Sequence, residues 1–111
     1  MKEFLILLRG GDDRMTNLTE SESAEHMQRW GAYMNNLAQK GHLVGGLPLQ
    51  PNGRLVNNNG VSEEVVLSDA GEAIGGYLIF KANDYSQAVE LVKNCPIFEH
   101  NGNVEVREMA P

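Results

Sequence analysis

Phe4-Leu5-Ile6-Leu7-Leu8 has no polar side chain at any position. Successive side chains of a strand point to opposite faces, so a strand of this composition needs apolar cover on both sides. The run therefore reads as a central strand, and it demands more than one layer of helices can supply. Five apolar residues are too few for the apolar core of a signal peptide or for a bilayer span. No membrane partner is expected.

Further strands and two helices follow from patterning. Thr19-Glu20-Ser21-Glu22 is a capping box, in which the Thr19 hydroxyl accepts from the Glu22 N–H and the Glu22 carboxylate reaches back to the Thr19 N–H. It predicts a helix over about 20–40, with Met27, Trp30, Met34 and Leu37 as the buried stripe and Gly41 just past its end. A short strand with a glycine pair is expected at 42–47. Strands at 54–56 and 64–67 would flank Asn57-Asn58-Asn59-Gly60, where Asn-Gly favours a two-residue hairpin turn. Residues 74–82 form another strand. Asp84 caps a second helix carrying Ala88, Leu91, Val92 and Cys95, which Pro96 stops. The closing strand at 103–108 alternates Val104 and Val106 with Glu105 and Arg107.

The order β-α-β, hairpin, β-α-β is that of a single α+β domain over 1–111, a ferredoxin-like βαββαβ sandwich with an inserted hairpin. Its two helices cover one face of an antiparallel sheet. Leu5, Leu7, Leu78, Phe80, Val104 and Val106 cannot all point to that face, and an uncovered apolar face marks an interface. Two such sheets packed face to face give a homodimeric α/β barrel, and a chain of 111 residues buries little enough surface alone to gain from it. The formal charge of −6, with no basic block, argues against direct nucleic-acid contact. The lone Cys95 excludes an internal disulfide and fits a cytoplasmic location.

Candidate chemistry centres on His26. It lies one helical turn after Glu22, a spacing that lets a carboxylate hold one ring nitrogen and raise the basicity of the other; an ordinary surface Glu–His pair has the same spacing. Asp69 and Glu72, ahead of the glycine pair, can act as acid, base or ligand anchor, or sit in a solvated turn. Gly75 and Gly76 open a strand where a ligand or another backbone can come close, with Tyr77 beside them as a hydroxyl donor. The competing reading is packing, with the glycines making room for Trp30 or Met34. Arg9 and Arg54 are candidate anion contacts. His26, His42 and His100 show no metal-ligand spacing, so neither a metal nor another cofactor is expected, and His42 and His100, at element ends, are expected to be exposed. Cys95 reads as a small core residue.

The segments "HMQRWGAYMNNLAQKGHLVGG" (26–46), "GGYLIFKANDYSQAVELVKNCPIF" (75–98) and "VEVRE" (104–108) resemble the YCII-related family, and more narrowly its DGPF-domain branch. The resemblance implies a dimeric α/β barrel and a His–Asp pair facing a pocket. His26 matches the histidine. The aspartate would fall within Leu37-Ala38-Gln39-Lys40, where no carboxylate stands, and of the Asp-Gly-Pro-Phe motif only Asp69 is present. Two functions are in view. One is binding or transformation of a small organic molecule in a barrel cavity, with His26 as proton carrier. The other is a non-catalytic interaction module, similar to proteins that accompany alternative sigma factors.

Overall fold

The computed structural model describes residues 1–10, 19–50, 53–62 and 74–110. Six strands and two α-helices are present among them: β1 (Lys2–Arg9), α1 (Glu20–Gln39), β2 (Leu43–Pro48), β3 (Leu55–Asn57), β4 (Gly60–Ser62), β5 (Ile74–Ala82), α2 (Tyr85–Val92) and β6 (Asn103–Glu108), with a 3-10 helix at Pro96–His100. The main sheet runs β2-β5-β1-β6. Every neighbour pair in it is antiparallel. This is the ferredoxin-like order, with β1 and β5 central as their apolar runs require.

The pleat of β1 divides the molecule. Phe4, Ile6 and Leu8 are buried under the helices with Leu78, Phe80 and Ala82 of β5. Leu37 of α1, Ala88 and Val92 of α2, then Cys95 and Ile97 complete that core, and Val104 and Val106 pack against it. Full burial of a side chain such as Phe4 or Phe80 stabilises the fold by about 1.5–3 kcal/mol. Leu5, Leu7, Tyr77 and Ile79 alternate onto the opposite face, where they remain only half-buried. The six residues named from sequence are thus divided, four to the helices and two to the open face.

α1 begins as its capping box dictates. Glu22 N–H donates to Thr19 Oγ1 at 3.1 Å, and Thr19 N–H donates to Glu22 Oε1 at 3.0 Å. Its inner stripe differs from expectation by one position. Met27 is 61% exposed and His26 takes its place, because His26, Trp30, Tyr33 and Leu37 follow one line of three- and four-residue steps.

The hairpin also differs. Asn57 pairs with Gly60, so the turn residues are Asn58 and Asn59 rather than Asn59-Gly60. Its second strand starts at Gly60, whose φ of +134° takes the angle that a side chain would resist. The strand expected at 64–67 lies outside the described residues. β3 and β4 form their own two-stranded sheet and do not extend the edge of the main one.

Gly46 of β2 and Gly76 of β5 serve close packing between these strands. A Cβ on Gly46, at φ +157°, would run into Tyr77 O and Leu78 Cδ2. A Cβ on Gly76 would lie 3.2 Å from Leu47 O, 3.3 Å from Pro48 Cα and 3.5 Å from Leu8 Cδ1. Gly76 therefore makes room for the β2 backbone and Leu8, not for Trp30 or Met34. By contrast, nothing lies within 4 Å of a Cβ on Gly31, in the middle of α1. Gly46→Ala is expected to cost at least about 2 kcal/mol through strain and overlap. Gly31→Ala should gain up to about 1 kcal/mol from helix propensity. Urea unfolding of both variants checks the opposite signs.

Candidate functional site

His26 is 2% exposed. A buried imidazole needs a partner for each ring nitrogen, and both partners are present. Trp30, one turn further along α1, donates its indole N–H to His26 Nε2 at 3.0 Å. Glu99 Oε1 stands 3.3 Å from His26 Nδ1. A tryptophan N–H only donates, so Nε2 must carry the lone pair and Nδ1 the proton, which it donates to Glu99. The two contacts agree on one neutral tautomer.

Glu99 is delivered by the 3-10 helix. Cys95 is extended, Pro96 fixes the first helical position, and Asn101 in the left-handed region (φ 62°) ends it. Gly102 follows because a Cβ there would overlap Ile97 Cγ1. Ile97, 1% exposed, pins the segment to the core. With that anchor the short helix packs on α1, and Glu99 also takes the Arg29 Nε–H at 2.8 Å from each carboxylate oxygen. Partial burial works against the Glu99 charge, but the bonds from Arg29 and His26 outweigh it and hold the carboxyl below its ordinary value.

His100 completes the cluster. Its ring meets that of His26 edge-on with centroids 4.6 Å apart. Its Nε2 is enclosed and has no hydrogen-bond partner among the described residues. The expectation that His42 and His100 are exposed does not hold; both are half-buried. In space, one ligand atom from each of His26, Glu99 and His100 lies within 4.8 Å of the others. Glu22 is committed to the capping box, where its bonds to Thr19 lower its pKa and His100 adds a smaller effect. The carboxylate that His26 meets is therefore Glu99, not Glu22.

The remaining candidates lie elsewhere. Tyr77 belongs to the open sheet face, opposite Leu7 of β1 and Leu47 of β2. Arg9 is on the same face, and its Nε and Nη2 donate to Glu105 Oε1 at 3.1 and 2.8 Å. Tyr77 and Arg9 are thus separated from His26 by the sheet. The Gly75 carbonyl accepts from Leu49 N–H, which extends the β2 pairing. Asp69 and Glu72 lie outside the described residues. Arg54 donates to its neighbour's carbonyl, Gly53 O. The His42 ring Nδ1 meets Lys81 O at 2.8 Å, tying the start of β2 to β5. Burial pushes the Cys95 thiol up to about 11, so it is a core residue and not a nucleophile. A cleft of about 450 Å³ between the helices is lined by Tyr33, Asn36, Lys40, Glu90, Leu91 and Asn94 among others, and His26 does not reach it.

Sequence reasoning missed Glu99, His100 and the role of Trp30. The four-residue step from His26 to Trp30 was visible. Nothing local points Glu99 at a residue 73 positions away.

The YCII-related domain matches residues 3–111. The chain belongs to the YCII-related family. Among solved structures, this family member resembles 5-chloro-2-hydroxyhydroquinone dehydrochlorinase (TftG) from Burkholderia phenoliruptrix AC1100, in complex with 2,5-dihydroxybenzoquinone. The TM-score is 0.59 at 16% identity, over 97% of this chain and 93% of that one, and the likeness is one of fold. Comparison with curated proteins gives no match. No helix among the described residues is long and apolar enough to cross a membrane.

The lowered Glu99 pKa sets a pH dependence. Its contribution is fully present above the unfolded carboxylate value of about 4.3 and is lost as pH falls through the lower folded value. Unfolding midpoints at pH 7 and pH 3 should therefore differ more in the unaltered protein than in Glu99→Gln. Equal differences would contradict the pairing.

Proposed function

We propose that this YCII-related protein binds a small organic molecule and moves a proton on it, with His26 as the proton carrier. The observation that carries this is the answer given to each nitrogen of a buried imidazole. Glu99 orients the ring through Nδ1–H and favours the imidazolium that forms when the other nitrogen takes a proton. Nε2 is the basic atom, and the Trp30 N–H occupies the position that an acidic C–H or O–H of a substrate would take. A substrate must displace that donor to react. The carboxylate that the family resemblance places near the end of α1 is then supplied by Glu99 from the 3-10 helix. The resemblance of the helix, the paired glycines and the closing strand supports the DGPF-like branch, and the gaps in the Asp-Gly-Pro-Phe motif count against it.

We also propose that two copies close their open sheet faces on one another. Leu5, Leu7, Tyr77 and Ile79 form a continuous half-buried band there. Val44 and Leu47 of β2 extend it and are 47% and 64% exposed. Tyr77 and Arg9 would then border the space between the sheets, apart from the proton-transfer site, since the sheet separates them from His26. Sedimentation at micromolar concentration should give a dimer; a lone protomer would contradict this packing.

The dihydroxybenzoquinone in the TftG complex suggests a first set of probes: hydroxylated quinones, small carboxylic acids and lactones. A compound that binds only the folded state raises its thermal midpoint. At least one class is expected to do so in the unaltered protein. For any compound that is turned over, His26→Gln should lower the rate by about 10²–10⁴-fold, the usual contribution of a general base. Glu99→Gln, which keeps the shape of the site, should lower it by less. Turnover undiminished in a folded His26→Gln, or no shift with any compound, would contradict the proposal.

A further inference from the structure

The cluster of two imidazoles and one carboxylate has a second property that proton transfer does not use. The His26 Nδ1 to Glu99 Oε1 separation is 3.3 Å. Two ligands of a tetrahedral zinc ion, each about 2.0–2.1 Å from the metal, stand about 3.4 Å apart. The third side chain brings its ligand atom within 4.8 Å of the other two. His100 also holds a ring nitrogen that is enclosed and without a partner among the described residues, and such an atom calls for an ion, a water or a ligand.

We propose that His26, Glu99 and His100 form a site for one divalent transition-metal ion of the zinc class. Two histidines and a glutamate are the ligand set of zinc sites that keep a fourth position open, and imidazole nitrogen selects such ions over magnesium or calcium. The ion reaches the cluster from the side of Glu99, which is exposed. Arg29, on both Glu99 oxygens, remains as the outer partner that orients the carboxylate.

One contact opposes the ion. A metal on Nδ1 moves the imidazole proton to Nε2, where it would face the Trp30 N–H, so that hydrogen bond must break. A single neutral hydrogen bond is small beside the free energy of a zinc–protein site, and the ion wins the comparison. Trp30 then has to turn away. The site stands on its own geometry and does not rest on the proton-transfer reading. With the ion on Nδ1 and the proton on Nε2, neither ring nitrogen is left to accept a substrate proton, so loading with metal switches the proton carrier off.

Trp30 is the single tryptophan of the chain and reports this movement. Zinc chloride titrated into chelator-treated full-length protein, followed by calorimetry and tryptophan emission, should show one ion per chain and a change in emission. His100→Ala and Glu99→Gln should each weaken binding at least about a hundredfold, beyond what outer partners cost. His42→Ala, remote from the cluster, should bind as the unaltered protein does. Absence of binding, or the same affinity in His100→Ala and Glu99→Gln as in the unaltered protein, overturns the proposal. So does loss of binding in His42→Ala. The organic-ligand thermal shifts, run in chelator, report on proton transfer separately.

Discussion

Burial of one imidazole organises the contact between α1 and the 3-10 helix. At 2% exposure, His26 has little water to satisfy its ring, and an unanswered polar atom there would cost about 1–3 kcal/mol. Trp30 answers one nitrogen from within the same helix. The other requires a group from outside α1, and the 3-10 helix exists in the form that provides it. Pro96, the extended Cys95, left-handed Asn101 and the side-chain-free Gly102 are each local choices that turn the chain so that Ile97 enters the core and Glu99 meets α1.

The sheet supplies the frame on which that contact rests. Alternation along β1 sends Phe4, Ile6 and Leu8 to the helices and leaves Leu5 and Leu7 on the other face. The helix-side core fixes α1 and the 3-10 helix relative to one another. The open face carries a separate set of groups, Tyr77 and the Arg9–Glu105 pair, and it asks for a covering surface. The two faces accordingly divide the candidate residues into the His26 cluster on the helix side and an apolar band on the open side.

Much of the fold was legible because it depends on short-range patterns. The capping box placed the start of α1, the bounds of β5 followed from an apolar run and those of β6 from alternation, and Asp84 caps α2 by accepting from Gln87 N–H as its position suggested. The stripe of α1 was misread at one position, with Trp30, Met34 and Leu37 in or against the core as expected, since a methionine is the usual core residue and a histidine is not; here the hydrogen-bond partners reversed that preference. The hairpin turn shifted by one position for a similar reason, with Gly60 spent on a paired strand residue rather than in the turn. The candidate site was half legible. His26 stood out, but its carboxylate was sought at the nearest helical neighbour, Glu22, which the cap had already engaged. The contacts with Glu99 and His100 are made by tertiary packing, which no spacing encodes.

The tautomer of His26 tests the account most directly. Two-dimensional ¹⁵N–¹H spectra of the imidazoles, at neutral pH and without added metal, distinguish a protonated Nδ1 from a protonated Nε2. The structure predicts the proton on Nδ1, a bare Nε2, and a Trp30 indole proton coupled to that nitrogen. A proton on Nε2, or a Trp30 N–H that exchanges with water as an exposed indole does, would contradict it.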